Sequence, residues 1–224
     1  MPRRSPRLDA YLEVGATRVF AGAVDWPGWA RSGRDESSAL EALVGSGPRL
    51  ARVLRGTRLG FTAPADARVV ERLKGGPSTD FGAPEASPRS DATPMKDADL
   101  RRSVAILRAS WRAFDRAAEH AGGRELTKGP RGGGRDLHGI VEHVLGADQG
   151  YLSMIGWKLD RADRDDLEPV RAAVLDALTR AAREGVPPGP RGGKRWTPRF
   201  YVRRAAWHVL DHAWEIEDRS QDPT

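Results

Sequence analysis

Cysteine is absent from this 224-residue chain. Disulfide bonds, thiolate nucleophiles and zinc-thiolate sites are thereby excluded. Long apolar runs are missing as well: nowhere do about 18 apolar residues follow one another, as a membrane-spanning helix requires. The opening MPRRSPRLDAYLEV has basic residues with no apolar segment behind them, so it does not read as a secretory signal. A cytoplasmic, soluble protein with no membrane partner is expected. Charge of one sign is only modestly in excess, with 37 Lys+Arg against 31 Asp+Glu for a net +6. The basic residues are spread along the chain, and a basic total is not a basic patch, so nucleic acid is not the expected partner.

Glycine (25) and proline (16) are plentiful, which predicts long irregular connections between compact parts. Such a stretch runs from Gly75 to Lys96, GGPSTDFGAPEASPRSDATPMK, with no helical apolar period. It reads as a linker or long surface loop, leaving a segment 1–75 before residues 76–96 and a segment 97–224 after them.

The first segment reads as a small α+β unit. ATRVFAGAVDW alternates as a strand with Val19, Ala21, Ala23 and Asp25 on one side. A Pro-Gly turn follows in DWPGWARSG. DESSALEALVGSGPRLARVL then starts a helix capped by Asp35 or Ser37, and ARVVERL is a strand or a short helix. The pattern FAGAVDWPGWARSGRDESSALEALV resembles the HicB-like antitoxin fold: a strand, D-x-PG, a short strand with SG, and a helix with ALEAL. That resemblance implies recognition of a small protein partner or an acidic substrate mimic. The plainer reading is a strand-turn-helix that packs on its neighbour.

The second segment reads as four helices. In residues 97–122 the positions Leu100, Val104, Leu107, Trp111, Phe114 and Ala118 form one stripe, ended by Gly122 and Gly123. A second helix follows the cap Asp136. A third carries Leu167, Val170, Val174 and Leu178 and stops at Gly185. The fourth has Thr197 as cap and Pro198 at its first position. The expected fold class is therefore a small α+β part followed by an all-α four-helix bundle.

Three of the five histidines fall on inward stripes of that bundle. Tyr201, Ala205, His208 and His212 share a face of the last helix; Ile140, His143, Ala147, Tyr151 and Met154 share one of the second. Each imidazole offers one lone pair, and three histidines are a common protein share of a catalytic metal site with its fourth position open. Burying three of them without a metal demands partners for every ring nitrogen. Spacing alone does not establish that the three converge.

DLHGIVEHVLGADQGYL, followed later by RRAAWHVLDHAWEIEDR, resembles the DinB/YfiT-like superfamily over residues 97–219. The resemblance implies an up-down-down-up bundle and a divalent metal (zinc, nickel or iron) held by His143, His208 and His212. It also implies a homodimer and, where members have an activity, transferase or isomerase chemistry with a low-molecular-weight thiol. Because the chain has no cysteine, that thiol would arrive as a cosubstrate beside the small-molecule substrate. A peptidase H-E-x-x-H is excluded, since Val209 follows His208. Asp211 and Glu215, one turn from the ligand pair, are candidates to orient a ring or act as base. Arg204 and Tyr151 are candidates to contact substrate. The alternative is a non-catalytic, metal-stabilised binding or regulatory protein using its HicB-like part.

Overall fold

In the computed structural model, which describes residues 7–128, 134–160 and 166–220, strand β1 (Leu8–Val14) pairs antiparallel with β2 (Val19–Ala23). Strand β3 (Ala30–Gly33) adds antiparallel to β2, and β4 (Ala67–Lys74) lies parallel to β1. The result is a four-stranded mixed sheet of order β3-β2-β1-β4. The crossover from β3 to β4 is made by α1 (Glu36–Gly45) and α2 (Gly47–Val53). The Asp35 carboxylate caps α1 by accepting from the Ser38 amide at 2.8 Å.

Alternation along β1 sends residues to two buried faces. Leu8, Ala10 and Leu12, with Val19 and Ala21 of β2, join Ala39 and Leu43 of α1 in the main core. Tyr11, Glu13 and Phe20 are buried on the opposite face. A buried carboxylate must be hydrogen-bonded, and Glu13 accepts from the Thr79 hydroxyl and from the amides of Glu85 and Ala86. The stretch between Gly75 and Lys96 holds the short helix α3 (Pro77–Phe81) and a 3-10 turn at Arg89–Ala92, so these bonds tie it to the sheet.

Four longer helices follow: α4 (Asp97–Ala121), α5 (Leu137–Met154), α6 (Leu167–Glu184) and α7 (Pro198–Arg219). Their number, caps and stops match the apolar spacing, with Asp136 and Thr197 capping α5 and α7 and Gly185 ending α6. The fold class nonetheless differs from the expected α+β part followed by an all-α, up-down-down-up four-helix bundle. The chain is an α+β protein, with a mixed sheet and seven α-helices among the described residues. The reason lies in α7. A bundle helix buries one stripe, but α7 buries Phe200 to Arg203 and Ala205 to Leu210 almost without interruption. One side packs on α4, whereas Trp207 meets Phe20 of the sheet edge-on at 6.0 Å and Arg203 lies over Tyr11 at 5.2 Å. One continuous apolar core runs from Leu12 in β1 to Ile216 in α7. No helix among the described residues is long and apolar enough to cross a membrane.

The turn between β2 and β3 passes close to α7 at Gly28, where φ is +93° and an added Cβ would lie 2.5 Å from Ala206 Cβ. A left-handed backbone and a missing side chain are both required there. Gly28→Ala is expected to destabilise the protein by about 1–3 kcal/mol, measured as the midpoint shift in urea unfolding. An unchanged midpoint would show that the hairpin does not bear on α7.

Candidate metal centre

Helix α7 begins with the Thr197 hydroxyl accepting from the Phe200 amide at 3.2 Å and Pro198 in the first turn. That start sets the helical phase which puts His208 and His212 one turn apart on the side facing α5. Helix α5 is phased by Asp136, whose carboxylate accepts from the Gly139 amide at 2.7 Å. Its His143 faces the pair from across the helix contact.

One ring nitrogen from each of His143, His208 and His212 comes within 4.8 Å of the other two. The Nε2 atoms of His143 and His208 are 3.1 Å apart. Two neutral imidazole nitrogens at that distance are tolerated only if one carries a proton or a cation lies between them. Three tetrahedral ligands at metal-nitrogen distances of about 2.0–2.1 Å would sit roughly 3.4 Å apart, so small ring rotations close the set. His208 is 6% exposed, while His143 and His212 are partly exposed.

Burial and neighbouring charges favour the neutral form, the one that binds metal, at two of the rings. Burial pushes the His208 pKa down to about 2, helped by His212, His143, Arg204 and Arg135. Burial also lowers His143, with His212 and Arg135 acting in the same direction against Glu215. His212 Nδ1 is 2.7 Å from Glu215 Oε2, which leaves Nε2 for the centre. The hydrogen bond from His212 is the main reason that the Glu215 carboxyl is held below its usual range. Arg219 grips the other carboxylate oxygen at 2.7 Å and donates to the Thr127 carbonyl at 2.8 Å.

The remaining sequence candidates separate. Glu215 orients a ligand ring, whereas Asp211 pairs with Arg31 of β3 at 3.2 Å. Burial raises the pKa of Asp211 against the opposing Arg31 charge. Tyr151 stands edge-on to His208 at 5.8 Å, and Arg204 lies over Tyr151 at 5.7 Å and over Trp207 at 4.7 Å. His138 pairs with Glu142 in solvent, away from the triad. Sequence reasoning missed Arg219, although its Glu215 partner one turn earlier is a legible helical spacing. It also missed Arg31, for which no local signal exists.

Asp148 on α5 was missed too. It is 1% exposed, and neither carboxylate oxygen has a hydrogen-bond partner among the described residues. Burial lifts its pKa from 3.8 to about 7, against Arg171 and the nearby Trp111 indole, which falls outside hydrogen-bond geometry. The folded state therefore holds a proton that the unfolded state releases. The associated stability is fully present below pH 3.8 and is lost as pH rises to about 7. Asp148→Asn is expected to remove this loss, so its melting temperature gains on wild type between pH 5 and pH 8. A difference that is flat across that range would contradict the shift.

Compared with known proteins, the chain matches no family model, no curated protein and no solved structure.

Proposed function

We propose that His143, His208 and His212 hold one divalent cation, and that the protein is a metal-dependent enzyme acting on a small molecule. The observation that carries this reading is the convergence of three imidazole nitrogens, one of them set by the Glu215–His212 contact. Three imidazole nitrogens suit zinc, nickel or iron, with the fourth position left for a reactant. A cation there supplies a Lewis acid that makes a nucleophile available near neutral pH. The protein's own groups do the rest. Glu215 holds the His212 tautomer and Arg219 holds Glu215. Tyr151 and Arg204 wall the approach beside His208. The resemblance to DinB-like proteins favours transferase or isomerase chemistry, with a low-molecular-weight thiol brought in as cosubstrate because the chain supplies none.

The experiment is metal analysis by mass spectrometry on untagged protein, wild type beside His143→Ala. About one equivalent per chain, lost in the variant, supports the site and justifies a thiol cosubstrate screen. Folded wild type that takes up neither zinc, nickel nor iron overturns it. Glu215→Gln tests the support of the ring. It is expected to lower metal affinity about 10- to 100-fold in competition with a chromophoric chelator, with the fold intact.

A further inference from the structure

Between the β2–β3 turn, the 3-10 turn and the N-terminal halves of α4 and α7 lies a cavity of about 450 Å³, with none of the three histidines in its wall. That volume falls in the range of about 300–1,000 Å³ usual for small-molecule sites. Its wall carries three arginines and three aspartates. Two pairs are complete in themselves, Arg203 with Asp91 and Arg199 with Asp99. Arg102 and Asp25 are left over. Arg102 Nη2 donates to the Asp25 backbone carbonyl at 3.0 Å, and the guanidinium lies over the Trp26 ring at 4.1 Å. Those contacts hold the planar group in place. It has no ion pair among the described residues, and its Nε and Nη1 have no acceptor there yet stay open to solvent. Burial works against the Arg102 charge, and the Asp25 and Asp99 carboxylates offset it only in part. Ser103, the next residue, is 6% exposed. Its hydroxyl makes no hydrogen bond among the described residues but is not sealed off, and it lies on the same wall.

A guanidinium with unused, reachable donors takes an oxyanion through charge-assisted hydrogen bonds. Three aspartates in the same wall disfavour a ligand that is anionic throughout. Asp25, exposed at the rim, makes no side-chain hydrogen bond or ion pair among the described residues, so its carboxylate suits a cation. The contact between Arg102 and the Asp25 backbone puts both unmatched charges at one end of the cavity. We infer that this cavity binds a small zwitterion of the amino-acid type, its carboxylate accepting from the Arg102 guanidinium and the Ser103 hydroxyl and its ammonium facing the Asp25 carboxylate. Pro27 and Ile106 supply apolar wall for the rest of such a molecule. The site stands whether or not the triad holds a metal.

The test uses the untagged full chain after chelator treatment, because amino acids chelate metals and would otherwise report through the triad. The common amino acids are titrated singly by calorimetry near neutral pH, and a saturable heat with at least one of them is expected. Its N-acetyl derivative, which lacks the ammonium, and its amide, which lacks the carboxylate, are expected to bind roughly tenfold more weakly or worse. Arg102→Gln is expected to weaken binding by the same factor. Should Arg102→Gln not fold, Ser103→Ala tests the carboxylate end, with a loss of about threefold or more, and Asp25→Asn tests the ammonium end. No saturable response to any amino acid overturns the inference, as does binding that none of these substitutions weakens. Equal binding of the acetylated form overturns the role given to Asp25, and equal binding of the amide that given to Arg102. Amino-acid binding retained in His143→Ala supports a site apart from the triad, and its loss there would overturn it.

Discussion

His208→Ala is expected to abolish stoichiometric metal binding and the stability that comes with it. His208 is the most deeply buried of the three rings, and its Nε2 lies against His143 Nε2 at 3.1 Å. With it gone, His143 and His212 cannot close a three-nitrogen set. Losing a ligand exceeds the 10- to 100-fold cost typical of losing a ligand's supporting partner, so affinity should fall by more than about 100-fold. Metal that binds only the folded state stabilises it, by about 2.7 kcal/mol at 100 times Kd. For a chain of this size that is roughly 5–10 °C in Tm. Chelator should therefore lower the wild-type Tm by that amount and leave His208→Ala unmoved. His138→Ala is the control, because His138 is exposed and paired with Glu142. An equal response to chelator in wild type and His208→Ala would place any metal elsewhere.

Asp91→Ala is expected to be the most destabilising single change outside the triad. Arg203 on α7 is 7% exposed at its side chain and Asp91 3%. The guanidinium donates twice to Asp91, at 2.7 and 2.8 Å, and also to the carbonyls of Ala23 at 2.8 Å and Val24 at 3.0 Å. One side chain thus joins α7, the end of β2 and the 3-10 turn. Removing Asp91 strands a buried cation, at a cost of about 3–5 kcal/mol. Replacing both partners with apolar residues, as in Arg203→Met with Asp91→Leu, removes charge and counter-charge together and should cost far less. Urea unfolding of wild type, Asp91→Ala and the double variant separates these cases. A shift below about 1 kcal/mol for Asp91→Ala would mean that Arg203 finds other partners or water.

The fold was legible where the chain's own periodicity speaks. The stripe Leu100, Leu107, Trp111 and Phe114 located α4, and Asp136, Thr197 and Gly185 marked helix ends at which local hydrogen bonds do form. ARVVERL was ambiguous between strand and helix, and pairing with β1 makes it β4. Strand β1 itself, LDAYLEV, was not assigned any element. It is buried on both faces, so its outward positions carry Tyr11 and Glu13 instead of the solvent-facing polar residues that give a half-buried strand its alternation. The candidate ligands were legible because helical spacing phases His208 with His212 and places His143 on an inward stripe. Glu215 follows from the same spacing, whereas Arg31, 180 positions from Asp211 along the chain, does not.

By itself, then, the sequence determined helix positions, caps, the three-histidine candidate set and the absence of any thiol, because each depends on a residue and its near neighbours. Tertiary structure alone decided that α7 is shared between sheet and helices, that Glu215 serves His212 while Asp211 turns to Arg31, and that Asp25, Arg102 and Ser103 line one cavity. Those outcomes depend on which buried polar group finds a partner, and that is settled only when distant segments compete for the same space.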